Sequence, residues 1–274
     1  MSIAIVHDAT AALTAASWRA DDFDFWAFDR LLDELAERGE PLRIAGADAA
    51  VIDEIALRAQ RLAITRNSAS RQVWFMRVLA AHVALYDVTR PLVRADLDHA
   101  LDTWRWTLRL DGGVSAAVQL AALLHDIERL VSESDARVEH LAADYQAFKD
   151  AHARAGAGLA LDLLARCGVP AAIAGDACAL IATHERRDES ADVGALNDAD
   201  ALSFFSLSSP GYLAYFGPAQ TQRKVDYTLA RMSLVARDWL PRVRVPAVVR
   251  RDIEAWHEAA GPRGELADLP RQRP

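Results

Sequence analysis

The amino-acid sequence predicts an all-α helical bundle, on three observations. Apolar residues recur at spacings of three and four along most of the 274 residues, β-branched alternation is nearly absent, and the periodic runs stop at Gly, Pro or charged clusters. A hydrophobic content of 52% is ample for a substantial core. No internal repeat or low-complexity linker breaks the pattern, so a single all-α domain is expected. Within it residues 1–90 form a helical extension packed on a core at 91–260. Residues 261–274 hold charges, Gly and Pro with little to bury, and are expected to form a flexible tail.

The elements follow in order. Asp21 and Asp22 cap a helix whose inner face is Phe25, Phe28, Leu31, Leu32 and Leu35, and which stops at Gly39 and Pro41. Further helices are expected near 47–65, 69–88, 95–110, 114–132, 137–166, 170–184, 197–208, 219–240 and 246–260. Two strand-like fragments, 1–6 and 42–45, are too few and too short to build a sheet core. The segment 208–217 reads as an aromatic loop that could close over a ligand, with loop packing the simpler role for Tyr212 and Tyr215. Trp18, Phe23, Phe25 and Trp26 cluster early in the extension, where core packing is the expected role. The extension would cover a site on the core or mediate homodimerisation.

The chemistry centres on His125 and Asp126, which interrupt the apolar run 121–130. Val118, Ala121, Ala122 and His125 share one helix face, so the imidazole points inward. An ionised carboxylate beside it must be compensated, and a metal ion supplies that compensation directly. Candidate partners lie at suitable places. His99 is on an amphipathic stretch, His152 has Gly156 one turn later to leave room beside its ring, His184 follows Leu180 and Ile181, and Asp198 and Asp200 come after. Donors spread over several helices are how bundle cores build metal sites. His82 is an alternative first donor, His7-Asp8 repeats the dipeptide without a following pattern, and His140 and His257 lack matching partners.

In this order, His99, His125-Asp126, His152, His184 and Asp200, the residues resemble the HD-domain superfamily of metal-dependent phosphohydrolases, over roughly 99–205 and the helix after it. The stretch from His152 through Gly156 and Leu163 to 167–170 and His184 resembles its two-metal branch. The resemblance implies an HD-like helical bundle binding two divalent ions (Fe, Mn or Zn). His99, His125, Asp126 and the late Asp would hold one ion, His152 and His184 the second, and Asp126 would bridge them. Asp200 fits the family's Ala-Asp-x-Leu wording at 199–202; Asp198 is the alternate, or orients a ligand.

The implied activity is hydrolysis of a phosphate ester, of a nucleotide or small organophosphate, by a metal-activated water. Catalytic candidates are Asp126, Glu128 as a proton relay, and Arg129. On a continuous helix Glu128 turns about 200° from Asp126 and Arg129 only about 40° from His125, which aims Arg129 at the cleft. Substrate-binding candidates are Arg186 and Arg187 in a loop after His184, and Lys224 and Arg231, which share a face of a late helix. Two other readings use the same fold: an HD-type diiron oxygenase acting on a small polar substrate with O2, and a non-catalytic sensory or scaffold module.

Charge and cysteine content bound the partners. A net charge of −8 argues against non-specific nucleic-acid binding but does not choose a phosphate-binding role; a small phosphorylated molecule is the partner the resemblance implies. Lys149 and Lys224 are the only lysines among 31 basic residues, which reflects genome composition as readily as function. Two cysteines make a disulfide framework unexpected. Neither a membrane span nor a secretory signal is visible, so a cytoplasmic location is expected.

Overall fold

The apolar segment ahead of His125 becomes the centre of the bundle. The computed structural model describes residues 2–7, 16–19, 42–45, 69, 72–186 and 190–260. The chain divides into two units, Met1–Asn67 with Asp111–Gly113, and Ser68–Leu110 with Val114–Pro274. The second unit is an all-α bundle of α1 (Val73–Val83), α2 (Pro91–Leu110), α3 (Ala116–Leu124), α4 (Arg129–Ser132), α5 (Tyr145–Cys167), α6 (Ala171–Thr183), α7 (Ala191–Ser203), α8 (Ser209–Arg231), α9 (Leu234–Arg237) and α10 (Ala247–Ala260). None of the described helices is long and apolar enough to cross a membrane.

α3 is buried on every side from Ala117 to Leu124, as a helix with no polar face must be, and packs against α2, α6 and α7. Ser115 caps it, accepting from the Val118 amide at 3.3 Å. α5 starts where Asp144 accepts from the Ala147 amide at 2.9 Å, later than the expected 137, so that 139–141 form only a short 3-10 turn. It ends at Gly168, whose φ of 77° is open to glycine at little cost, just ahead of Pro170.

Three expectations are corrected. The helix expected over 114–132 is broken: α3 stops at Leu124, and a tight turn, with Ile127 N–H donating to Leu124 O (3.1 Å) and Arg129 N–H to Asp126 O (3.0 Å), precedes α4. The expected aromatic loop is helical. A π-turn at Phe204–Ser208 runs into α8, which accepts Pro210 in its first turn and bends at Gly217 (φ 76°, ψ 175°) before Pro218. The N-terminal extension is not wholly helical. Ser2–His7 (β1) pairs antiparallel with Ala16–Arg19 (β2) and Leu42–Ala45 (β3), with Ile3 opposite Trp18 and Ile5 opposite Ile44. Two of these strands are the fragments judged too short for a sheet; a third strand, on the other edge of β1, completes it. α1, placed by sequence in the extension, belongs to the bundle unit. The helices expected over 22–37 and 47–65, and the tail 261–274, lie outside the described residues.

Candidate metal centre

His125 and His184 are built alike. Each is the buried residue at which a helix ends, and in each the ring Nδ1 lies against the carbonyl three residues back, Ala122 O at 2.9 Å and Ile181 O at 2.7 Å. A carbonyl only accepts, so Nδ1 carries the proton and Nε2 presents its lone pair. The rings meet edge to face with centroids 5.3 Å apart. Both Nε2 atoms are buried and have no hydrogen-bond partner. Two orphaned acceptors on one side of a packed core are costly unless something electron-poor sits between them. Burial holds His184 neutral, lowering its pKa to about 4. Burial also works against charge on His125, but the carboxylates of Asp126 and Asp200 outweigh it and raise the value to about 9, so without an ion its Nε2 takes a proton that a metal would displace, and this point of the core attracts positive charge.

Asp126 lies between two groups of donors. One group is His99, His125 and Asp126, the other Asp126, His152 and His184, and within each the ligand atoms all lie within 4.8 Å of one another. Oδ1 is 3.0 Å from His152 Nε2; Oδ2 is 3.7 Å from His125 Nε2 and 4.0 Å from His99 Nε2. Asp200 completes the first group, its Oδ1 3.1 Å from His99 Nε2 and 3.6 Å from His125 Nε2. Asp198 does not. Its oxygens accept from the Ser233 amide (2.7 Å) and hydroxyl (2.6 Å), which fixes the start of α9. The six expected donors therefore converge with Asp200 as the late carboxylate.

The broken helix makes this possible. The turn after Leu124 swings Glu128 to the same side as Asp126, where its Oε2 meets His152 Nδ1 at 2.6 Å, supported by Ser132 Oγ at 2.8 Å. Glu128 therefore holds the ring of His152 and is not among the residues that line the cleft, where its expected part as a proton relay would place it. Gly156 admits the turn: a Cβ there would meet His125 O at 3.3 Å. The nearest neighbours of such a Cβ are His125 O, Glu128 Cβ and Ile181 Cγ2, so the room Gly156 leaves is taken by the turn and α6 and not by the ring of His152, where it was expected.

A chain of alternating charges joins the two donor carboxylates. It runs from Asp126 to Arg129 (2.8 Å), Glu139 (3.6 Å), Lys149 (3.4 Å), Glu185 (2.7 Å), Arg231 (3.1 Å) and Asp200 (3.4 Å). Arg129 also meets Glu133 at 3.1 Å. Arg231 further donates to His184 O at 3.0 Å and lies over the Tyr227 ring. It is a strut behind the donors and does not line the cleft, contrary to its expected substrate role.

A cleft of about 370 Å³ opens onto Asp126, His99 and Asp200, within the size range of small-molecule sites. Of the expected substrate residues it is lined by Lys224 but not by Arg186, which is exposed and bonded to Asp150 through Nε (2.9 Å) and Nη2 (2.5 Å). Arg187 lies outside the described residues. Arg129 lines the cleft as expected. Lys149, Glu185, Asp96 and Arg137 line it too and were not anticipated. Arg137 grips Asp96 with two bonds of 2.9 and 2.7 Å. His82, the alternative donor, is buried against Tyr86 at 4.8 Å and held neutral by burial, near pKa 3, outside both donor groups. His140 and His257 stack on Phe216 and Trp256.

Residues 84–252 match the model of DUF4202, a domain of unknown function, and the chain belongs to that family. The matched region contains all six donors and the cleft residues named above. No curated protein and no solved structure matches the chain.

Proposed function

We propose that this DUF4202 chain is a metal-dependent phosphohydrolase that cleaves a phosphate ester at a two-ion centre. The observation that carries the reading is the pair of donor groups sharing Asp126, each with a buried imidazole Nε2 that has no other partner. Nitrogen and carboxylate donors of this kind suit Mn, Fe or Zn. Bound there, two divalent ions would acidify a shared water and neutralise phosphoryl oxygens. His99, His125 and Asp200 would hold one ion, His152 and His184 the other, and Asp126 both.

The protein's own contribution is orientation and charge. Ala122 O, Ile181 O and Glu128 fix the three buried rings with the lone pair facing inward. The cleft wall carries five carboxylates (Asp96, Asp98, Asp126, Glu185, Asp200) and four cations (Arg129, Arg137, Lys149, Lys224), so it is net negative by one charge and inhospitable to an anion. Two divalent ions reverse that sign, and the lining cations then favour a phosphate.

The test is purified protein loaded with Mn2+, Fe2+ or Zn2+ and offered a panel of nucleotides and small phosphate esters, with oxygen uptake followed in parallel. Phosphate release that Asp126→Ala abolishes is the expected result. Oxygen consumption without phosphate release would establish the oxygenase reading instead. Absence of bound metal, with every property indifferent to Asp126→Ala, would leave a scaffold.

A further inference from the structure

Two features of the cleft remain unexplained by the donor set. The first is compositional: Lys149 and Lys224 are the chain's only lysines, and both line this cleft. Arginine serves every other cationic position, so lysine here points to a need for its compact ammonium. Lys149 is 2% exposed, buried between its carboxylate partners where it meets the cleft. Its ammonium has three N–H donors and two carboxylate partners, Glu185 and Glu139, which leaves a donor for the cleft. Lys224 lies 5.7 Å over the Phe204 ring, at the edge of the second feature.

That feature is a continuous aromatic wall. Phe204 meets Tyr212 at 5.6 Å, Tyr212 meets Phe216 at 4.4 Å, and Phe216 meets Tyr215 at 4.6 Å between ring centroids. All four rings line the cleft. The wall is held in register with the lysines, since Tyr212 Oη donates to Glu139 Oε1 at 3.0 Å and Glu139 also pairs with Lys149. Tyr215 is 51% exposed and Tyr212 and Phe216 are half-buried, so this part of the wall is not closed into the core, and Phe204, 4% exposed, backs it. It begins at the π-turn, a helical irregularity common at functional sites.

Resting on the phosphohydrolase reading, we infer that the cleft is a two-part substrate site: Lys149 and Lys224 take the phosphoryl oxygens, and the wall of Phe204, Tyr212 and Phe216 stacks a flat ring carried by the ester. The substrate class is a phosphate ester of an aryl or heteroaryl group, the ring attached directly or through a sugar. Alkyl and simple sugar phosphates leave the wall uncovered and bind less well.

Binding of phosphonates that cannot be hydrolysed tests this without turnover. Calorimetry on the Mn2+-loaded protein compares methylphosphonate, phenylphosphonate and a nucleoside 5′-phosphonate. At least one ring ligand should bind about tenfold more tightly than methylphosphonate, the gain expected of aromatic stacking. The tighter of the two identifies whether the ring is attached directly or through a sugar. Phe216→Ala should erase most of that preference. Lys224→Met should weaken all three ligands by a similar factor, and Lys149→Met likewise. Should Lys149→Met not fold, because Glu139 and Glu185 lose a partner, Lys224→Met carries the test alone. Equal binding of methyl and ring ligands, or a ring preference that survives Phe216→Ala, overturns the two-part site while leaving the phosphohydrolase reading intact. A loaded protein that binds none of the three overturns both.

Discussion

Replacing Glu128 with alanine should weaken one of the two metal positions and spare the other. Glu128 Oε2 accepts from His152 Nδ1 at 2.6 Å, while His152 Nε2 faces Asp126 Oδ1 at 3.0 Å. Without the carboxylate the ring loses the bond that fixes its tautomer, and Nε2 can take up the proton that a donor atom must not carry. Loss of such an orienting partner costs about 10–100-fold in metal affinity, or about 1.4–2.8 kcal/mol. Glu128 touches neither His99 nor Asp200, so the cost should fall on the position built from His152 and His184. Glu128→Gln keeps an acceptor but loses the charge, and should lie between wild type and alanine. Titration calorimetry with Mn2+ reads this as one tight site retained and a second weakened. Melting of the metal-free proteins checks that the fold survives. Two sites of wild-type affinity in Glu128→Ala, or an equal loss at both, would refute the assignment of Glu128 as an orienting residue.

Asp198→Ala and Asp200→Ala, two residues apart, should behave oppositely. The first removes two short bonds to Ser233 and should cost about 2–3 kcal/mol of unfolding free energy while leaving metal stoichiometry intact; the second should weaken the metal position proposed at His99 and His125. Glu139 should give the acid limb of stability. Burial raises its pKa, but Lys149, Lys224 and Arg129 outweigh that and hold it at about 2 against the usual 4.5. A carboxylate depressed on folding stabilises above its unfolded pKa, so the gap between wild type and Glu139→Gln in urea melts should be full above pH 4.5 and shrink as pH falls toward 2. A gap that widens on acidification would contradict this. Arg186→Ala should leave both KM and melting temperature unchanged, because the exposed guanidinium sits outside the cleft on Asp150; a raised KM would return it to the substrate site.

The donor residues were legible because imidazoles on apolar stripes are rare and their order along the chain is specific. His125 and His184 each follow buried residues three and four positions back, and the residue three back supplies the carbonyl that fixes the ring. The turn at 125–128 was not legible, since apolar residues continue to Leu130 and satisfy a helical pattern across the break. Its consequence, Glu128 reaching His152, was therefore misjudged from ideal helical angles. The choice between Asp198 and Asp200 needed the position of Ser233, which is 35 residues from Asp198. Lys149, Glu139 and Glu185 were not singled out, because periodicity cannot tell a solvated charge from one neutralised across the core. The scarcity of lysine was the one available signal. The segment 208–217 carried Pro and Gly that suggested a loop, yet Pro210 sits in the first turn of a helix, where its missing N–H costs nothing, and Gly217 only bends it.

Asp126 has an arginine partner at 2.8 Å, and Asp200 has another at 3.4 Å, so buried carboxylates alone are no argument for metal. The alternating chain from Asp126 to Asp200 would keep both ionised without any ion present, since each buried charge along it meets an opposite one. What that chain does not satisfy is nitrogen. His125 Nε2 and His184 Nε2 stay unpartnered while their Nδ1 atoms are tied to backbone, and rotating either ring to relieve one atom would orphan the other. A core that spends five buried ionised partners to hold two carboxylates in place, and leaves imidazole lone pairs unmet beside them, is organised before its ligand arrives. Preorganisation of this kind places the cost of assembling the donors in folding, so that cation binding need only displace water and proton from positions already fixed.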